Sequence, residues 1–262
     1  MSTEKKLFLW EDSALYIGDS LDPSPHSHLS VQCCIAIDQE LEYSDNNNQW
    51  QKCQALLIDA NVEHQIRTPD GPIFILYLEQ QSEKFKTIIS PDPNQMPSGA
   101  PEKFNLDFSA NTKQLLIQAL NEPLSPDQAN TTKQTLISSL SGRISRNQPI
   151  DERVQTIIHF LKNNPSVNTE GAKLASLVDL SESRLQHLFK AQMGVPIRRY
   201  VLWMRLRLVS NEVLAGSSLT EAAHTAGFSD SAHFSRTFKS MFGITPSDLV
   251  KTREQIQFHT FD

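Results

Sequence analysis

Long apolar runs are missing from this chain. No stretch approaches the roughly 20 residues that a membrane-spanning helix requires. The opening Met1–Lys6 is polar, with only the short Leu7–Trp10 run behind it. Neither a membrane anchor nor a secretory leader is expected. Cysteine is scarce, at three in 262 residues. An odd number, two of them adjacent as Cys33 and Cys34, makes no disulfide framework and suits reduced thiols in a cytoplasm. No Cys-x-x-Cys spacing is present, which argues against the common zinc modules. Glycine totals nine and nowhere forms the clustered loop that cradles phosphates. No cofactor and no metal are expected on these grounds.

Acidic residues are missing from one place in particular. The chain as a whole is acidic, with a net charge of −6, which looks wrong for a nucleic-acid binder until it is divided. Residues 1–149 carry 11 basic and 19 acidic side chains, whereas residues 150–262 carry 13 and 11. Asp and Glu vanish between Ser183 and Asn211, where Arg184, Lys190, Arg198, Arg199, Arg205 and Arg207 all fall. They vanish again between Ser231 and Ser247, which holds Arg236 and Lys239. A solvated charged face usually intersperses acids among its bases. Acid-free cationic patches are what phosphate binding requires.

What is present in the same region is a repeat. Leu174, Ala175 and Val178 recur 48 positions later as Ala222, Ala223 and Ala226, and Leu180-Ser181 as Phe228-Ser229. After a one-residue insertion, Leu185, Phe189-Lys190 and Met193-Gly194 recur as Phe234, Phe238-Lys239 and Phe242-Gly243. Repeated apolar spacing means repeated structure. Each copy reads as a short apolar helix, a tight turn and a longer helix. In the second copy Ser218 and Glu221 make a capping box. Gly227 supplies the turn, with Asp179 in its place in the first copy, and Ser181 and Ser229 are expected to cap the longer helices. Those helices are amphipathic. Leu185, Leu188, Phe189 and Met193 form one apolar stripe, and Phe234, Phe238, Met241 and Phe242 the other. The outer faces carry Ser183, Gln186, His187 and Lys190, then Ser231, Ala232, Ser235, Arg236 and Lys239. A bundle of amphipathic helices would show such stripes too. Two matched copies with polar, acid-free outer faces favour paired helix-turn-helix units, whose second helices enter the major groove.

These residues resemble the DNA-binding domain of the AraC/XylS family of bacterial transcription regulators. The runs "LASLVDLSESRLQHLFKAQMGVPIRRYVLWMRL" and "AAHTAGFSDSAHFSRTFKSMFGITPSDL" carry the likeness over roughly 100 residues. Pro196 lies two residues after Gly194 whereas Pro246 lies three after Gly243, a variant at the entry to the linker helix. The resemblance implies seven helices, with two units joined by a long linker that fits Ile197 to Leu214, burying Tyr200, Trp203, Leu206 and Val213. A helix from Asp151 to Asn163 precedes them, stopping before Pro165. Double-stranded DNA and RNA polymerase are the implied partners. Ser183, Arg184, Gln186, His187, Lys190, Ser231, Ala232, Ser235, Arg236 and Lys239 are the expected DNA contacts.

Residues 7–80 alternate like strands. Leu29, Val31, Cys33, Ile35 and Ile37 point one way, and His28, Ser30, Gln32, Cys34 and Ala36 the other. Ala55–Ile58 and Ile73–Leu78 are further strands, with Pro69–Pro72 a turn and Asp45–Asn48 a loop. Short strands with polar turns predict an antiparallel barrel or sandwich. His26-Ser27-His28, "LLIDANVEHQI" and "FILYLE" resemble the small cupin-like sensor domain that precedes many DNA-binding domains of this family. In metal cupins a His-x-His pair, a Glu and a later His hold an ion. Gln32 stands where that Glu is expected, and an amide is a poor transition-metal ligand. His26, His28, Gln32 and His64 are therefore expected to be polar groups of an effector pocket. Phe104–Leu140 reads as helical and broken at Pro123 and Pro126, either packed on the barrel or forming a dimer interface. Ser90–Ala100 reads as a loop and Ser141–Pro149 as a linker.

The expected fold is α+β in two domains: an antiparallel, cupin-like β-barrel with helices, then an all-α double helix-turn-helix domain. The expected divisions are 1–80 for the sensor, 81–147 for a helical connector and possible dimerisation region, and 148–262 for DNA binding. The expected function is a non-enzymatic, sequence-specific regulator controlled by a small molecule. A cupin metalloenzyme fused to a DNA-binding domain is a second reading, and Gln32 counts against it. A repair methyltransferase needs an activated Cys, and Cys33, Cys34 and Cys53 lack activating neighbours in the sequence. A barrel that only oligomerises is the remaining alternative.

Overall fold

The computed structural model describes residues 5–10, 12–19, 24–44, 49–79, 89–90, 100–140, 144–145, 150–164, 170–242, 245–247 and 256–260. The expected Asp45–Asn48 loop, most of the Ser90–Ala100 loop, most of the 141–149 linker, Pro165 and Gly243 lie outside those residues. The chain forms two compact units, residues 1–147 with 240–262, and residues 148–239.

The first unit is built on a seven-stranded sheet ordered β10-β6-β3-β8-β2-β1-β12. Its strands are β1 (Lys5–Leu9), β2 (Ser13–Gly18), β3 (Val31–Ile35), β6 (Ala55–Ile58), β8 (Ile73–Leu78), β10 (Glu102–Phe104) and β12 (Ile256–Thr260). Neighbours pair antiparallel except β1 and β12, which run parallel from Lys5↔Ile256 to Leu9↔Thr260. A three-stranded antiparallel sheet, β5-β4-β7, comprises β4 (Leu41–Ser44), β5 (Trp50–Cys53) and β7 (Gln65–Arg67). Two further short strands, β9 (Ile89–Ser90) and β11 (Ile144–Ser145), pair with each other in parallel. The described strands form open sheets and not the expected closed barrel. The strand at one end of the large sheet, β12, comes from far along the sequence, where a reading confined to residues 7–80 could not place it.

Strand parity sorts two cores. Leu15, Ile17, Val31, Cys33, Ile35, Phe74, Leu76 and Leu78 pack with Leu116, Ala119, Leu120, Leu136 and Leu140. The alternate residues Cys34, Leu56, Ile58, Ile73 and Ile75 pack with Leu41, Tyr43, Cys53 and Ile66 of the small sheet. Helices α1 (Ala110–Asn121) and α2 (Pro126–Ser139) therefore cover one face of the large sheet, and the small sheet covers the other. Ser109 caps α1, and Ser125 opens α2 with a full capping box and Pro126 in its first turn. The predicted helix began too early. Phe104 ends β10, opposite Ala55, and Phe104, Leu106 and Phe108 reach the core at a period of two.

One buried cation ties the sheet to the helices. Lys6 is 1% exposed, and its Nζ donates to the carbonyls of Ala119 (2.7 Å) and Leu120 (3.1 Å) in the last turn of α1. Those carbonyls have no partner within the helix, and a positive charge there suits the helix dipole. Replacing Lys6 by Met should cost about 2 kcal/mol, because charged hydrogen bonds contribute ~1.5–3 kcal/mol and the carbonyls stay buried. Urea unfolding followed by circular dichroism should show the midpoint fall with an unchanged slope; an unchanged midpoint would sink this account of Lys6.

The second unit is helical: α3 (Glu152–Asn163), α4 (Gly171–Ser176), α5 (Glu182–Met193), α6 (Ile197–Leu214), α7 (Leu219–Thr225) and α8 (Ser231–Phe242). Val154, Ile157, Ile158 and Leu161 of α3 are buried, as their spacing predicts. The long α6 packs against α3, α5 and α7, with Tyr200, Trp203 and Leu206 buried. Pro246 and Ser247 are helical as well.

Candidate nucleic-acid interface and a buried histidine cluster

The sequence repeat is a repeat of turn geometry. Asp179 (φ 52°) and Gly227 (φ 83°) both occupy the left-handed region between their two helices. One backbone bond recurs at the 48-residue offset: Leu180 N–H donates to the Ala175 carbonyl (3.1 Å), and Phe228 N–H to Ala223 (3.0 Å). Asp179 tolerates that conformation better than most side chains, and Gly227 adopts it freely. Ser181 caps α5 by accepting from Arg184 N–H, and Gly194 (φ 72°) closes it. The expected cap at Ser229 is displaced by one residue. Asp230 Oδ1 accepts from His233 N–H at 2.6 Å, while the Ser229 hydroxyl donates to Asp230 Oδ2. That bond holds the Asp230 carboxyl below the usual range. The one-residue insertion in the repeat brings Asp230 to the place of Ser181, and Asp caps as well as Ser.

Leu185, Phe189 and Met193 are buried on α5, and Phe234, Phe238 and Met241 on α8. The opposite faces are open. Ser183, Arg184, Gln186, His187 and Lys190 are exposed on α5; Ser231, Ala232, Arg236 and Lys239 are exposed on α8, with Ser235 half-buried. All ten expected contact residues thus lie on the outward sides of the two capped helices. Arg205 departs from the expected basic patch. It is 9% exposed and lines a cleft of about 490 Å³ together with Glu182, Gln186, Arg198 and His233. Burial lowers its pKa from the ordinary arginine value. Glu182 lies just outside the acid-free stretch, and its Oε1 accepts from Gln186 Nε2 at 3.0 Å, so one candidate reader is held by an acid at the helix start. Sequence reasoning missed this contact, although a Glu four residues before Gln on a helix signals it.

In the first unit the structure brings His26, His28, Gln32 and His64 together. All four are buried, at 7%, 1%, 2% and 1% exposure. His26 and His64 form an antiparallel bridge, N–H to carbonyl in both directions at 3.1 and 3.0 Å. Their ring centroids are 4.4 Å apart, and His28 lies 5.0 Å from His64. Each Nδ1 meets a backbone carbonyl: Ser24 at 3.0 Å, Ser30 at 2.9 Å and Val62 at 2.9 Å respectively. A carbonyl only accepts, so each Nδ1 carries the proton and each neutral ring keeps its lone pair on Nε2. His64 Nε2 is buried without a hydrogen-bond partner. His28 Nε2 lies 2.5 Å from the Gln32 side-chain oxygen. Two acceptors share no hydrogen bond, so the amide is better assigned with its NH₂ toward His28 and its oxygen toward Cys34 Sγ, 3.1 Å away. The spacing of His26, His28 and His64 also suits a metal ion. Cys33, Cys34 and Cys53 are free and buried. Burial pushes the Cys34 thiol up to about 12 and that of Cys53 up to about 11, which counts against an activated cysteine nucleophile.

Residues 174–252 match a helix-turn-helix domain family. The "probable transcriptional regulator LumQ" of Photobacterium leiognathi is 25% identical over 242 residues, covering 87% of this chain and 93% of that protein. The arabinose operon regulatory protein of Escherichia coli K12 is 31% identical over 109 residues, which are 40% of this chain and 36% of that protein. ToxT from Vibrio cholerae O395 shares the fold at a TM-score of 0.60 and 13% identity, over 91% of this chain and 96% of ToxT. The chain is a DNA-binding transcription regulator that resembles the AraC-type regulators. Its two-domain plan, antiparallel sheets followed by a helical DNA-binding domain, is that of ToxT. Among the described residues no helix of this regulator is long and apolar enough to cross a membrane.

Burial lowers the pKa of His26, and burial with the neighbouring His28 and His26 lowers that of His64 well below the ordinary value. Both rings are thus neutral in the fold, whereas in the unfolded chain they take up a proton near pH 6.5. The unfolded state then binds more protons, and stability declines as pH falls through 6.5 toward the folded pKa values. The slope reaches at most about 1.4 kcal/mol per pH unit for each ring. With a chelator present, the melting temperature of the regulator should fall between pH 7.5 and 5.5, and His64→Gln should flatten that fall. Parallel curves for the two proteins would contradict the burial argument.

Proposed function

We propose that α5 and α8 of this regulator read successive major-groove segments of one operator, roughly one helical turn apart. The observation that carries the reading is the pair of capped helices with matched turns, each presenting an exposed polar face with basic side chains and, beyond Glu182 at the start of α5, no acid. Arg236, exposed on α8, suits a forked contact with guanine O6 and N7. Gln186 and His187 are the readers of the first unit, with Ser183, Arg184, Ser231, Ala232 and Ser235 beside them. Lys190 and Lys239 take phosphates. For the full chain on its operator, Arg236→Ala should cost about 1–3 kcal/mol and relax preference at one base. Lys190→Ala and Lys239→Ala should weaken specific and random DNA alike and each reduce the salt slope by about 1. Gel-shift titrations across salt concentrations measure both effects. Equal losses on specific and random DNA for Arg236→Ala would refute its role as a reader.

The sensing reading of the first unit rests on the buried polar cluster at His26, His28, Gln32 and His64. ToxT, which has this fold, has been seen with an unsaturated fatty acid bound. We read the cluster as the place where a small effector is held, biasing one arrangement of the regulator over another. The regulator acts in the cytoplasm, not as an enzyme, with RNA polymerase as its partner and homodimers through the 81–147 region. Ligand-induced thermal shifts of the full chain, paired with DNA affinity, test the control. An effector that shifts melting and leaves DNA affinity unchanged would sink it.

A further inference from the structure

We propose that His26, His28 and His64 bind one divalent first-row transition metal ion, zinc foremost, so that the effector site of the first unit is a metal site. The inference deepens the sensing reading and rests on it only for its consequence. One ring nitrogen from each of the three lies within 4.8 Å of the other two. The Nδ1 atoms are committed to the carbonyls of Ser24, Ser30 and Val62, so Nε2 is the ligand atom of each ring, and that of His28 exchanges its contact with the Gln32 amide for the ion. Metal-bound histidines show this division, with the far N–H anchored to a carbonyl that fixes the tautomer and the ring plane. The orphaned Nε2 of His64 supplies a second, independent sign. A buried lone pair with nothing to accept is costly, and a cation removes that cost.

The chemistry of the donor set narrows the ion. Three neutral imidazoles suit Zn²⁺, Ni²⁺, Cu²⁺ or Fe²⁺ and give Mg²⁺ or Ca²⁺ little. A zinc–nitrogen bond is about 2.0–2.1 Å, so the rings close inward by about an ångström onto the ion. Gln32 is the nearest further group. Its amide oxygen turns from Cys34 toward the ion as a weak fourth donor, or leaves that position to water. The two anchoring segments are the stretch before β3 and the stretch before β7, already bridged by His26 and His64. A bound ion therefore clasps the small sheet, through β7, to the large one, through β3.

The test uses the full chain stripped with a chelator and dialysed free of it, with no DNA present. Zinc titration by calorimetry should give one equivalent, and cobalt should give the visible bands of a four-coordinate site. Zinc should raise the melting temperature by several degrees at 100-fold excess over Kd. The triple variant His26→Ala, His28→Ala, His64→Ala should lose uptake, and His64→Ala alone should lose on the order of 100-fold in affinity. Equal uptake by wild type and a folded triple variant would overturn the site, as would no uptake by wild type. If the triple variant fails to fold, Gln32→Glu decides. It adds a carboxylate donor and should tighten zinc on the order of tenfold, a gain that misfolding cannot mimic; unchanged affinity would overturn the site. DNA affinity with and without zinc is a separate measurement. Tight zinc binding with indifferent DNA affinity refutes sensing and leaves the metal site standing.

Discussion

Strand β3 is buried on both faces, and the first unit is organised around that fact. Its odd residues serve the core shared with α1 and α2, and its even residues the core shared with the small sheet. Such a strand has no solvent side to absorb an error of register, because a slip of one residue would exchange the two cores. Gln32 is the one polar side chain within it, and it meets His28 and Cys34. The histidine cluster thus inherits its position from the most constrained strand of the sheet.

The second unit follows a different logic. The outward-facing helices α5 and α8 are short, and their placement depends on turns more than on length. A left-handed residue, a six-residue backbone closure and a side-chain cap recur in both copies. Tyr200 on α6 stacks edge-on against Phe189 of α5 with centroids 5.6 Å apart, and Phe228, Phe234 and Phe238 stack in series in the second copy. Directional aromatic contacts of this kind fix helix orientation as well as burial.

The helical unit was largely legible in the sequence because its signals are local. Ser218 with Glu221, Gly227, Gly194 and the stripes of α5 and α8 are read over spans of a few residues, and α6 spans the predicted Ile197–Leu214. The sheets were legible strand by strand and illegible as a whole. Alternation places Val31 and Gln32 on opposite faces, but no local pattern says that both faces are covered, or that β12 pairs with β1. The histidines were identified singly, while their convergence depends on a bridge across 38 residues between His26 and His64. Arg205 was misjudged for the same reason, since charge is visible in a sequence and burial by a neighbouring helix is not.

The return of the chain to its first sheet has a practical side. The polypeptide leaves the first unit near residue 147, builds the helical unit, and comes back from residue 240 to contribute β12. After a proteolytic cut near residue 147, the five-residue parallel ladder of β12 with β1 would still join the two pieces. A fragment starting at residue 148 would carry away one strand of the other unit's sheet. It would leave β1 as a bare edge on what remains and add an unpaired strand to what is removed, and unpaired edges invite aggregation. The solubility of separated halves therefore depends on Ile256–Thr260, a strand of the first unit's sheet supplied from beyond the helical unit.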